Sequence, residues 1–204
     1  MKGKYSNFLT IALIVVIVLI VIGIGFLIYG IVADIQNNKN KEEAIAQFDT
    51  EIENNKKEDE NNGEIGELIA PESTNNNNSN AGTEKKQYYQ NYVMLGYIQI
   101  KKTNIKYPIL ETATAKALEI AVGVTYPTSN PQLNEPGNIV IAGHNYRNNK
   151  MFSKNKNLST GDKIYITSND GRTLTYTIYE KFETSVSDTT YMTRDTRTEQ
   201  RKFL

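Results

Sequence analysis

The chain has 204 residues, 23 basic and 23 acidic side chains, one histidine and no cysteine. For this stretch of sequence a disulfide scaffold, a cysteine-based zinc site and a thiol nucleophile are excluded, and a single histidine excludes a multi-histidine metal centre. The zero net charge argues against a dedicated nucleic-acid binder, but it hides three unlike regions: residues 1–33 carry two lysines and no acid, 34–86 carry 6 Lys against 13 Asp and Glu, and 87–204 carry 15 Lys and Arg against 10 Asp and Glu.

Residues 1–7 form a short basic tail. Phe8 to Ala33 is a run of 26 residues without a charge. As a helix it is ~39 Å long, more than the ~30 Å of a bilayer core. A signal-peptide core is only about 7–15 residues, and Ile31-Val32-Ala33 is a poor cleavage site. The run therefore reads as an uncleaved membrane anchor, 8–33. Lys2 and Lys4 precede it with no acid beside them, so the N-terminus is expected in the cytoplasm and everything after Asp34 outside. Its glycines are not spaced G-x-x-x-G, and no helix–helix dimer is expected.

Residues 34–86 hold 12 asparagines and one aromatic residue, Phe48. Low hydrophobicity with a negative balance predicts a disordered acidic linker. A short helix near Lys41–Glu53, continuing the membrane helix outward, is the one ordered alternative. A tether is the plain reading.

From Tyr88 the texture changes, with 11 of the 13 tyrosines in 87–204 and many Thr, Ile and Val, a composition that favours strands. Leu95–Ile100 and Ile105–Leu110 read as strands, and Thr114–Val122 as a short helix. Asn138–Ala142 is a compact apolar strand entered through Pro136-Gly137 and left through Gly143-His144. Lys163–Thr167 and Leu174–Ile178 alternate, and Asn169-Asp170-Gly171 between them signals a hairpin. The expected fold is mainly β, a closed or partly closed β-barrel with short helices, over 87–204. Thr196-Arg197-Thr198-Glu199 is a capping-box pattern. It announces a helix just before the last residue, Leu204, so the domain is expected to be incomplete at its C-terminus.

His144 is the only histidine and sits on a Gly-His-Asn corner after an apolar strand. A lone loop histidine is by default a surface or structural residue. The functional reading is a general acid or base displayed at a strand end. It has no nucleophile beside it in sequence. No G-x-S-x-G elbow and no glycine-rich phosphate loop is present. Asp162, Asp170, Asp188 and Asp195 show no trusted acid-pair or metal-ligand spacing. Glu183 and Asp188 could contribute calcium ligands.

Asn138 to Asn145, followed by Met151-Phe152-Ser153 and then Leu158, Gly161-Asp162 and Lys163-Ile164-Tyr165, resembles the sortases, membrane-anchored cysteine transpeptidases of Gram-positive bacteria. The resemblance runs from about Met94 to Leu204 and takes in Ile105–Ile109, Thr175–Tyr179 and Asp188–Tyr191. The Met-Phe after the corner and a helix opening after Tyr191 look most like class B. The resemblance implies a sortase-like barrel and a catalytic role for His144. In the family the nucleophile is a cysteine on a later strand and an arginine follows on the next. Neither has a counterpart here, and Arg194, Arg197 and Arg201 do not inherit the arginine's role. The implied partners are the sorting-motif peptide of a surface protein and an amine of a cell-wall precursor or pilin, with no cofactor, no metal and no nucleic acid.

Two hypotheses follow. In the first, the parent is a sortase and this chain is an inactive fragment of it. In the second, the chain is a membrane-anchored pseudo-sortase that binds sorting peptides without cleaving them.

Overall fold

The computed structural model describes residues 2–62, 86–146, 150–185 and 187–193. They form two compact units, 1–42 and 43–204. The first unit is the start of one long helix, α1 (Lys2–Asn62). Every residue from 8 to 32 in it is exposed, so its isoleucines, valines and leucines are not buried against the other described residues. The helix is long and apolar enough to cross a membrane.

The second unit opens with the rest of α1. Residues 34–62 are helical, a longer helix than the one expected near Lys41–Glu53; the rest of the expected linker, 63–85, lies outside the described residues. Ile45, Phe48 and Ile52 are buried. Their spacing puts them on one helix face, and burying each contributes roughly 1.5–3 kcal/mol. Three apolar side chains at helical spacing outweigh a composition dominated by Asn, Glu and Lys. The Asn-rich tract at 73–80 and the capping box at 196–199 lie outside the described residues.

The domain that follows is a curled, mixed sheet, a half-barrel. In chain order its elements are β1 (Gln87–Tyr89), β2 (Tyr92–Ile100), a 3-10 turn (Lys101–Thr103), β3 (Ile105–Leu110), α2 (Ala115–Ile120), β4 (Val122–Tyr126), β5 (Val140–Ala142), a second 3-10 turn (Phe152–Asn157), β6 (Lys163–Ser168), β7 (Thr173–Thr177) and α3 (Thr190–Thr193). The strand order is β5-β4-β3-β2-β6-β7, with β1 paired to the start of β2. Neighbours are antiparallel except β3 and β4, which run parallel and are joined through α2. The side chain of Thr114 caps α2 by accepting from the Ala117 amide at 3.3 Å.

Two cores lie on the two faces of the sheet. Ile98, Ile100, Ile105, Ile109, Val122, Val124, Leu133, Leu158 and Ile166 fill one. Ile45, Phe48, Ile52, Tyr89, Met94, Leu110, Ala117 and Ala121 fill the other, where Phe48 meets Tyr97 edge to face at 5.9 Å. Adjacent residues Ile109 and Leu110 fall in different cores, as strand alternation requires. In β2, Met94 and Ile98 have the same parity yet lie in different cores. A register shift between Met94 and Gly96 accounts for this, because one extra residue moves all later side chains to the opposite face.

The expected hairpin is present: β6 and β7 pair in register from Lys163–Thr177 to Thr167–Thr173. Gly171 turns it with φ +77°, and a Cβ there would lie 2.5 Å from Ile52. Asn134 locks the preceding loop onto this hairpin. Its buried amide donates to the Ile166 carbonyl at 3.0 Å, Ser168 Oγ at 3.0 Å and the Arg172 carbonyl at 2.9 Å, and its oxygen accepts from the Tyr176 hydroxyl at 3.1 Å. Arg172 reaches both Asp170 and Glu135. Burial pushes the Tyr176 phenol above its ordinary pKa.

Candidate active site

β5 is one end of the strand order, and its antiparallel partner is β4. Val140, Ile141 and Ala142 are half-buried against it, so the chain leaves the sheet at Gly143 in a fixed place. A Cβ on Gly143 would stand 2.8 Å from both Val122 and the Phe152 ring. Only glycine lets the corner pack this closely.

His144 follows, half-buried. Its carbonyl accepts a hydrogen bond from the Phe152 amide at 3.0 Å. Asn145 forms a β-bridge with Met151. Met151 and Leu158 are buried, and Phe152 packs against the core that contains Ile98, Val122 and Leu158. The Met-Phe pair of the motif is thus the anchor that closes the loop behind the histidine. The imidazole lies beside the Tyr146 ring, with centroids 4.6 Å apart.

A second tie reaches the corner's strand from the far end of the described chain. The Asn138 amide donates to the carbonyls of Tyr191 at 2.9 Å and Met192 at 2.7 Å. That docks α3 against the approach to β5. Asp188 starts α3. Its carboxylate accepts from the Thr184 hydroxyl at 2.6 Å, the Thr190 hydroxyl at 2.7 Å and the Thr190 amide at 3.0 Å. These bonds favour the charged form and pull its pKa down to about 2. A cleft of about 300 Å³ lies alongside, lined among the described residues by Glu180, Phe182, Thr190 and Tyr191.

The other acidic candidates are engaged in local structure. Asp162 accepts from Lys102 at 2.6 Å and from the Ser159 amide at 2.7 Å, and these contacts lower its pKa. Asp170 accepts from Ser168 at 2.5 Å and from the Arg172 amide at 2.9 Å. Among the described residues no group of three His, Cys, Asp or Glu side chains converges, and the Asp188 oxygens are turned to threonines. Asp195, Arg194, Arg197 and Arg201 lie outside the described residues. Sequence reasoning singled out His144 but missed Tyr146 and Asn138. An aromatic two residues after the histidine was the available signal for the first. The second is a bond across 53 residues and leaves no local pattern.

The chemistry available at this corner is proton transfer by one imidazole, held by backbone bonds at a strand end. The chain is similar to solved sortases. They include a sortase D5 transpeptidase of Clostridium perfringens (37% identity, 49% of this chain and 61% of that one, TM-score 0.43) and a sortase C of the same species (26%, 49% and 52%, TM-score 0.41). A third is sortase A of Corynebacterium diphtheriae (28%, 42% and 40%, TM-score 0.36). The chain thus spans 61% or less of the length of each. No curated protein matches it. The sortase domain model matches residues 98–203, more than half of the chain, and the chain belongs to the sortase family.

Proposed function

We propose that this chain supplies the membrane anchor and the histidine-bearing part of a cysteine transpeptidase. The observation that carries the reading is the corner itself. The family's Gly-His-Asn sequence lies at the end of β5, with the Phe152 amide fixing the His144 backbone inside the matched stretch.

In the reaction a thiolate attacks the carbonyl within a sorting motif. A carbon–sulfur bond forms, the peptide carbon–nitrogen bond breaks, and His144 donates the proton that the leaving amine takes. An amine of a cell-wall precursor or a pilin then displaces the sulfur. Residues 8–33 span the membrane once, and the positive flank, Lys2 and Lys4, keeps the N-terminus inside. The domain after the helix faces outward, where its substrates are. Without a cysteine the chain by itself performs no covalent step.

Two measurements test this. The 204-residue chain should neither react with a thiol-directed reagent nor cleave a sorting peptide, whereas protein made from the reading frame continued past codon 204 should do both. Binding of the sorting peptide by the cysteine-free chain, with a stop codon at position 205, would instead establish the binding-module alternative. For topology, protease added to intact protoplasts should cut between residues 58 and 79; full protection of that stretch contradicts the outward placement.

A further inference from the structure

Backbone bonds hold the His144 corner, but they do not set the rotation of its side chain. His144 and Tyr146 are half-buried and the intervening Asn145 is exposed, the alternation of an extended segment. The two rings meet with centroids 4.6 Å apart and planes inclined by 32°, inside the range where aromatic pairs attract. The Phe152 amide and the Asn145–Met151 bridge fix the backbone on either side. Two side-chain torsions of the histidine stay free of those restraints, and each has several staggered or broad wells.

We propose that Tyr146 is a positioning residue for His144: its ring lies against the imidazole and selects one rotamer at the end of β5. A proton donor works only from a fixed place, because a displacement of roughly 1 Å costs on the order of 100-fold in rate. The contact uses the ring and not the hydroxyl, so phenylalanine replaces tyrosine here and leucine does not. The inference rests on the reading of His144 as the acid–base residue, and its test reads the ring geometry without any turnover.

His144 is the single histidine of the chain, so every imidazole signal in a nuclear magnetic resonance spectrum belongs to it. The 204-residue chain is prepared in detergent micelles with labelled histidine. Cross-relaxation between the Tyr146 ring protons and the imidazole protons is expected, with imidazole signals displaced upfield by the facing ring. Tyr146→Phe should keep that displacement. Tyr146→Leu should return the signals toward those of free histidine while the isoleucine methyl pattern stays unchanged. Absence of ring-to-ring cross-relaxation in the unsubstituted chain overturns the proposal, and this arm needs no variant to fold. Imidazole signals unmoved by Tyr146→Leu overturn it as well. A catalytically idle His144 would show in peptide turnover by protein made from the reading frame continued past codon 204 and would leave these signals in place, so the two failures are distinguishable.

Discussion

The two ends of the sheet are held in opposite ways. At the β7 end, the hairpin is tied by polar side chains that are all bonded: Asn134, Ser168, Asp170, Arg172 and Tyr176 form one connected set. At the β5 end, the corner is fixed by backbone bonds and apolar packing, and the titratable ring is left half-exposed. A fully satisfied polar cluster stabilises and specifies a fold. A group that must exchange protons needs solvent or substrate access instead. The hairpin therefore carries stability, and the corner is free to carry chemistry.

That contrast can be broken by substitution. Asn134→Ala should cost most, about 2–3 kcal/mol, because it strips partners from buried polar groups of the hairpin. The readout is chemical denaturation of the 204-residue chain in micelles, followed by tyrosine fluorescence. Gly143→Ala should cost about 2 kcal/mol, since the new Cβ overpacks Val122 and Phe152, and it should move the His144 signals as well. His144→Ala should change stability by less than about 0.5 kcal/mol; a loss as large as that of Asn134→Ala would make the histidine a structural residue.

The smallest effect concerns pH. The Asp188 carboxyl sits below its ordinary value, at about 2 when folded. A depressed folded value means that its contribution is present above the ordinary aspartate range and is lost as pH falls through about 2. The Asn138 side-chain amide signals, which report α3 docking, should hold steady from pH 5 to pH 3 and change below that. Asp188→Asn should shift them already at neutral pH.

Much of the fold was legible in the chain. β3 was expected as Ile105–Leu110 and spans those residues. Alternation marked β6 and β7, and Asn169-Asp170-Gly171 marked the turn between them. β4 was missed: Val122 was assigned to the helix before it, because the strand is only five residues long and follows α2 after a single residue, Ala121, with no turn between them. β1 is three residues long. The buried stripe of Ile45, Phe48 and Ile52 was present in the sequence but swamped by the charge and asparagine content around it. At the site, strand-then-corner logic located His144, and the family resemblance supplied its role. Neither could reveal Tyr146 against the ring or Asn138 holding α3, since side-chain geometry and long-range bonds to carbonyls are products of the folded chain.

The proposed role of His144, proton transfer in a cysteine transpeptidase, stands or falls on turnover of a sorting peptide by protein made from the reading frame continued past codon 204, with and without His144→Ala. General acid–base catalysis contributes roughly 10²–10⁴-fold, and the substitution should remove activity by that factor while the protein unfolds at the same denaturant concentration. Full transpeptidation after His144→Ala would show that the histidine of this corner takes no part in the chemistry.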